Sequence, residues 1–396
     1  MRVEQVAEIV NESAKQQLGL DNVVEQDLSN LVTLAQTVDE LNESGLDNFV
    51  HSLIDRIGVV KFRDRPYDGA APSVYMDSFE YGSILQKIEA ERPKANENES
   101  WRLEKGRVYE QDLYTPPTII QRFFNDSTTY DIPMSFAERQ VKSAFSSGDQ
   151  LNGFFSMIEN RIHDTVTINN DGLIELTINN MIGVTLLDEY REGSVLGNLT
   201  TKSGVKAVNL LKLYNDEFQK TLTKEQARLD PNFIRYACFV MSLYEKRFLK
   251  MSTLFNIGKR ERFTSKDKLH IVMLDEFKKA ADVFLQSSTW HDEYTKLPAA
   301  ETVPYWQGSG LSYDFADTSK IAVKVKDIGN NNTLTSVEAS GILCIMFDRD
   351  ALGINNYNYR VRSHVNNRAE FTNHWYKVDA RYFNDENENF VLFFMA

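Results

Sequence analysis

The sequence predicts an α+β protein. Apolar residues recur at spacings of three and four along residues 1–58 and again across 151–256, which is the period of amphipathic helices. Gly341 to Ala396 instead alternates every second residue and is crowded with β-branched and aromatic side chains, the mark of half-buried strands. No internal repeat and no low-complexity tract is present.

In chain order, three amphipathic helices are expected first. Val3, Val6, Ile9 and Val10 mark one, closed by Gly19. Leu28, Leu31, Val32, Val38 and Leu41 mark the next, ending at Gly45. Phe49, Val50, Leu53, Ile54 and Ile57 mark the third, with Gly58 just beyond it. A short β run, Val59 to Phe62, leads into a loop from Arg63 to Pro72. Residues 89–100, EAERPKANENES, carry almost nothing to bury. A strand-like pattern resumes from Trp101 to Tyr114 until Pro116-Pro117 halts regular pairing. A polar excursion between such flanks predicts a projecting hairpin, with a mobile surface loop as the alternative.

Ser135-Phe136-Ala137-Glu138 and Ser147-Gly148-Asp149-Gln150 both read as capping boxes. From Leu151 a helical stripe runs through Phe154, Phe155, Ile158, Ile162 and Val166 to Leu173, Leu176, Met181 and Ile182. Gly183 is expected to end it, with a kink or break near Asn169 to Gly172. Residues 206–256 predict two helices separated by Leu229-Asp230-Pro231. Leu269 to Leu274 reads as a strand, Asp275 to Gln286 as a helix, Lys320 to Val325 as a strand and Asn330 to Asn332 as a turn. The run NFVLFFMA is so apolar that it must be covered on both faces, so it is expected as an interior strand and not a frayed end.

At 396 residues the chain can bury one large core or two to three smaller ones. A formal charge of -13 argues against unaided nucleic-acid binding, which needs clustered Lys and Arg. No apolar segment follows Met1, and no stretch approaches the ~20 apolar residues of a membrane span. Cytosolic synthesis without a membrane partner is the expectation, and the sequon-like Asn98-Glu99-Ser100 carries no weight. The two cysteines, Cys238 and Cys344, lie inside apolar runs. Buried free thiols are expected, with a single disulfide as the alternative.

Motifs for chemistry are sparse. The sequence holds no GxxxxGK[ST], GxGxxG after a strand, HExxH, CxxC or GxSxG. The six histidines are scattered, and His364 and His374 flank a turn at Asn366-Asn367 without a third ligand. Asp348-Arg349-Asp350 offers two oxygen ligands at i and i+2, which suits a divalent metal enzyme, against charges that end an apolar strand. His291-Asp292-Glu293 lacks placed partners for acid–base work. No catalytic residue, cofactor or metal site is assigned. Arg349, Arg360, Arg362, Arg368 and Arg381 among Tyr and Trp give a mild bias toward a protein interface.

Several ordered segments carry a resemblance. FDRDALGI, NYRVRSHVNNRAEFTNHWYKVDARYF and NDENENFVLFFMA are similar to the closing strands of tailed-bacteriophage major capsid proteins. SFAERQVKSAFSSGDQLNGFFSMIENRI resembles the approach to that family's long spine helix, and GLDNFVHSLIDRIG the helix of its N-terminal arm. Within tailed phages the likeness points to a small short-tailed virus of a Gram-positive host.

The resemblance implies the Hong Kong 97-type fold. Residues 1–62 become the N-terminal arm, and 63–146 the extended loop (roughly Lys87 to Asp126) with flanking strands. Residues 147–200 become the peripheral domain with its spine helix, 201–325 the axial domain, and 326–396 the strands completing both. It further implies a non-enzymatic major capsid protein that self-assembles as pentamers and hexamers into an icosahedral shell in the host cytoplasm. Scaffolding and portal proteins are the implied partners, and double-stranded DNA would be enclosed without specific binding. Lys105 lies in the extended loop, but no cross-link is expected, because no matched partner or acid is present. On this reading the last strands are covered by the spine helix on one side and by neighbouring subunits on the other. A cellular encapsulin-type nanocompartment and a metal enzyme using Asp348 and Asp350 are the alternatives.

Overall fold

A computed structural model of the chain describes residues 68–74, 85–109, 112, 114–137, 148–286, 300–306, 319–327 and 333–396. In chain order the strands are β1 (Leu85–Ala90), β2 (Ile119–Phe124), β3 (Ser127–Ala137), β4 (Arg191–Glu192), β5 (Val195–Leu196), β6 (Ala207–Asn209), β7 (Leu269–Leu274), β8 (Glu301–Val303), β9 (Lys320–Asp327), β10 (Thr333–Ser340), β11 (Ile342–Asp348), β12 (Leu352–Asn366), β13 (Phe371–Asn384) and β14 (Phe390–Phe394). The helices are α1 (Gly148–Tyr190), α2 (Leu210–Phe218), α3 (Lys224–Ala227), α4 (Pro231–Phe248) and α5 (Asp275–Gln286). The helices expected over 1–58, the run Val59 to Phe62, the turn Asn330 to Asn332 and His291-Asp292-Glu293 lie outside the described residues.

The chain divides into two compact units. One comprises Met1–Asp68, Ile132–Thr165 and Val361–Tyr376, the other Gly69–Asp131, Val166–Arg360 and Lys377–Ala396.

The second unit is built on a five-stranded sheet of order β6-β14-β11-β7-β8. β11 pairs antiparallel with β14 and β7, and the outer strands β6 and β8 pair parallel to their neighbours. Every residue of β11 and β14 is buried, so the continuous apolar runs ILCIMF and FVLFF have cover on both faces. Tyr190, at the end of α1, meets Phe394 edge-on at 5.7 Å, and Tyr244 of α4 meets Phe393 edge-on at 5.2 Å. Consecutive strand residues face opposite sides, so α1 and α4 cover opposite faces of the sheet. This corrects the expectation that a neighbouring subunit covers one face. The cover comes from the chain's own α4, whose Tyr244 lies on Phe393 and whose Phe233, Ala237, Met241 and Phe248 are likewise buried.

α1 runs for 43 residues without the break expected at Asn169 to Gly172. Four β-branched residues and one glycine cost at most about 4 kcal/mol of helix propensity. Burying Leu173, Ile174, Ile178, Met181, Ile182, Leu186 and Leu187 contributes roughly 1.5–3 kcal/mol each and outweighs that cost. The hydroxyl of Tyr130 also donates to the Asn169 carbonyl at 3.2 Å, at the place where a break was expected. Nor does Gly183 end the helix. A Cβ there would lie 2.9 Å from Val325 Cγ1 and 3.0 Å from Val323 Cγ2, so the glycine admits the β9–β10 hairpin close against α1.

Helix punctuation elsewhere follows the sequence. Asp230 caps α4 by accepting from Asn232 N at 3.1 Å, with Pro231 in its first turn. The one-turn α3 was missed, although Thr223 and Gln226 form a capping box around it. β7 and α5 keep their expected bounds.

The Ser135 capping box is overturned, because residues 127–137 form β3, an outer strand of the sheet β12-β13-β3. Cross-strand partners supply the reason. Ser135 Oγ bonds Asn373 Oδ1 at 2.5 Å, and the Phe136 ring meets His374 at 5.7 Å. Pro133 is tolerated because an outer strand has a side that needs no ladder donor.

Phe393→Ala is expected to destabilise the isolated chain by about 3–5 kcal/mol in urea unfolding, since it opens a cavity between β14 and α4. Glu175 on α1 gives a pH-dependent counterpart, its carboxyl being pushed up to about 7 by burial and by the nearby Asp171. Its contribution to stability is complete below the unfolded value near 4.5 and is lost as pH rises through about 7. Glu175→Gln should therefore gain about 2–3 kcal/mol over the parent chain at pH 8 and nothing at pH 4. Parallel urea midpoints across that range would overturn the assignment.

Candidate functional site

β1 and β2 pair antiparallel from Leu85↔Phe124 to Ala90↔Ile119, and Glu91 N donates to Thr118 O at 2.8 Å to close the pairing. The expected hairpin is therefore present. Its intervening stretch departs from expectation, since Trp101 to Tyr114 forms no strand among the described residues. A single 3₁₀ turn, Glu99–Trp101, is capped by Asn98, whose side chain accepts from Ser100 N at 2.9 Å. Local polar contacts fold the stretch on itself. Arg107 pairs with Glu99 at 2.9 Å, its guanidinium lies 5.7 Å over the Tyr109 ring, and Glu104 N donates to Tyr109 Oη at 3.0 Å. Beyond the Arg107–Tyr109 contact, these contacts leave the other described apolar side chains of the stretch uncovered. Trp101 is 94% exposed and Val108 87%, with Leu103 and Tyr114 also in solvent.

The root of the hairpin contrasts with its tip. Asp385, only 4% exposed, receives Lys87 Nζ at 3.1 Å on one oxygen and Arg122 Nη1 at 2.6 Å on the other. Asn387 N also donates to it at 3.1 Å. Arg122 Nη2 reaches Glu386 at 2.7 Å. Burial opposes the charge on Arg122, but Glu386 and Asp385 outweigh it and raise the guanidinium pKa. Lys87 also donates to the Asp350 carbonyl and lies 4.8 Å over the Phe383 ring. On the other edge Arg260 pairs with Glu91 at 2.5 Å, Arg92 with Glu261 at 2.7 Å, and Arg262 with both Glu89 and Glu388. Burial raises the Glu388 carboxyl pKa against the pull of Arg262 and Lys87. The hairpin is thus held at its base by charge pairs and carries uncovered apolar groups beyond them.

The residues considered for chemistry take structural roles. Asp348 is buried, accepts from Asp350 N at 3.0 Å through its side chain, and accepts from Ala351 N at 2.8 Å through its carbonyl, which makes it a turn residue. Asp350 pairs with Lys268 at 2.6 Å. The two carboxylates serve different contacts, and among the described residues no group of three or more His, Cys, Asp and Glu could hold a metal ion. The partner of His374 is Ser363, whose Oγ lies 2.9 Å from Nδ1, and not His364. Arg360 pairs with Asp379 and is committed within its sheet. Cys238 and Cys344 are free and buried, and burial pushes the Cys238 thiol up to about 12. The charged root has no local signature, because Arg122 and Asp385 are 263 residues apart in sequence.

Comparison with known proteins adds three findings. A family model described as Phi29-like phage major capsid protein matches residues 6–394. No curated protein matches. Among solved structures, the chain is similar to one in the capsid structure of Staphylococcus phage Andhra, with 9% identity, a TM-score of 0.51, and 85% of this chain and 88% of that chain covered. It is also similar to a chain in the structure of head fiber and inner core protein gp22 of native bacteriophage P68, at 8% identity and a TM-score of 0.49, covering 86% and 88%. The fold comparison rests on the first of these.

Asp385→Asn is expected to lower stability by about 2–3 kcal/mol, below the value for a fully buried pair because Arg122 is partly solvated. Urea unfolding measures the loss, and faster hydrogen exchange at residues 85–90 should accompany it. Unchanged exchange there would separate Asp385 from the hairpin.

Proposed function

The chain belongs to the Phi29-like phage major capsid protein family, and from that premise we propose how its hairpin and domains build and use the shell. The protein is a shell-forming head protein, and its mixed helix and sheet fold is of the phage-capsid type, consistent with the Hong Kong 97-type fold. The family is one of capsid structural proteins, and self-assembly into a shell follows from membership.

In our reading, residues 1–62 act as an N-terminal arm and 63–146 hold the extended loop with its flanking strands. Residues 147–200 form the peripheral domain around the spine helix α1, 201–325 the axial domain, and 326–396 complete both. Subunits assemble as pentamers and hexamers in the host cytoplasm, with scaffolding and portal proteins as partners. The finished shell encloses double-stranded DNA without specific binding, and its wall does no catalysis. The observation that supports the loop's role is the contrast between its fixed root and its exposed apolar tip. Covering apolar surface stabilises a contact by ~25 cal/mol per Å², and ion pairs at the root hold the tip ready, so ordering it on a neighbour costs less.

Trp101→Ala tests this directly. With Trp101 94% exposed, the isolated subunit should keep its stability within about 0.5 kcal/mol. Shell yield by sedimentation and electron microscopy should fall sharply. Deleting Glu91 to Ser100 removes the root pairs of Glu91 and Arg92 together with part of the tip, and should leave a folded subunit that assembles poorly. Normal particles from both variants would reduce the loop to surface decoration.

A further inference from the structure

The second unit also contains a groove of about 690 Å³ that shares no residue with the hairpin root. Its floor is apolar, built by Ala227, Phe233, Leu274, Phe277, Ile342 and Met395. Two basic residues on its rim are already neutralised, Arg228 by Glu276 at 2.5 Å and Lys320 by Glu338 at 2.5 Å. Lys224 is not. Its ammonium donates to Ser340 Oγ at 2.9 Å and, among the described residues, forms no salt bridge. The side chain is packed over Gly341, where a Cβ would stand 2.8 Å from Nζ. Gly341 has φ +78, so a side chain there would be strained in any case. Burial, and then the nearby Arg228, lower the Lys224 pKa against the pull of the neighbouring Glu225, which marks an ammonium held partly out of water. Glu225 is an exposed rim carboxylate that makes no salt bridge with it. A cation so placed over an apolar floor is complementary to a carboxylate that carries apolar surface beside it.

We propose that the groove is a contact between copies of this chain, in which an exposed Asp or Glu of a second copy seats on Lys224 while an adjacent apolar side chain covers the groove floor. The inference rests on the shell reading, which puts identical subunits against one another. The charge balance favours that occupant: Asp and Glu number 57 against 44 Lys and Arg, so every copy presents surplus carboxylates. A groove on one face meeting a different face of the next copy is a heterologous contact, the kind that propagates around a ring.

The decisive experiment uses shells assembled from equal amounts of ¹⁴N- and ¹⁵N-labelled subunits and treated with a water-soluble carbodiimide, which joins amines to carboxylates already in contact. Peptide mass spectrometry should find Lys224 linked to an Asp or Glu in pairs of mixed isotope. An unlinked Lys224, or links only within one isotope, overturns the proposal. In parallel, Lys224→Met should raise the subunit concentration needed for assembly about tenfold, the loss of one charge-assisted bond, and Lys224→Glu should raise it further. Both variants should leave the isolated subunit folded, with Lys224→Met losing no more stability than Ser340→Ala, which removes the same hydrogen bond from the other side. If both variants assemble at the parent concentration, the groove contact is refuted and the shell reading stands. A parent chain that forms no shells removes both.

Discussion

The fold depends on one constraint, the complete burial of β11 and β14. Two adjacent strands without a solvent face need cover above and below, and that requirement fixes where α1 and α4 lie. Phe393 and Phe394 divide the task, one under Tyr244 and the other under Tyr190. The remaining strands extend the same sheet outward, parallel at both outer positions. Because the subunit closes this core with its own helices, its interfaces are free to be built from other parts of the surface.

Charge is distributed by the same logic. Inside the second unit the carboxylates are spent on anchoring: Asp385 on Lys87 and Arg122, Glu189 and Asp188 on Lys206, Asp379 on Arg360. A buried pair of this kind adds little net stability over an apolar one but is costly to break, so it specifies position more than it strengthens the fold. At the hairpin root that distinction matters. Among the described residues, Trp101, Leu103, Val108 and Tyr114 of the tip stand in solvent, so the tip is held by its own polar contacts and by the ion pairs beneath it.

Much of the architecture was legible in the sequence because it is written locally. The bounds of β7 and α5, the cap at Asp230 before Pro231, and the interior nature of FVLFF each follow from a few neighbouring residues. What misled was local signal overridden at a distance. Ser135 has the spacing of a helix cap, yet Asn373 and His374 claim its segment for a sheet. Gly183 looks like a helix end until Val323 and Val325 are placed against it. Of the candidate site, the polar excursion and its flanking strands were readable. The ion pairs at the root and the contact of Lys224 with Ser340 were not, because each depends on residues brought together only by the fold.

The long separation between Arg122 and Asp385 sets a clock during synthesis. These partners are 263 residues apart, so the hairpin root leaves the ribosome well before the carboxylate that secures it. At ~5–20 residues per second, that interval lasts roughly 13–50 s. Throughout it the nascent chain carries Trp101 and its neighbours on a loop whose root still lacks Asp385, and for the first part of it also lacks Arg260, Glu261 and Arg262. The fixed root from which the tip projects therefore exists only once the distal part of the polypeptide has emerged.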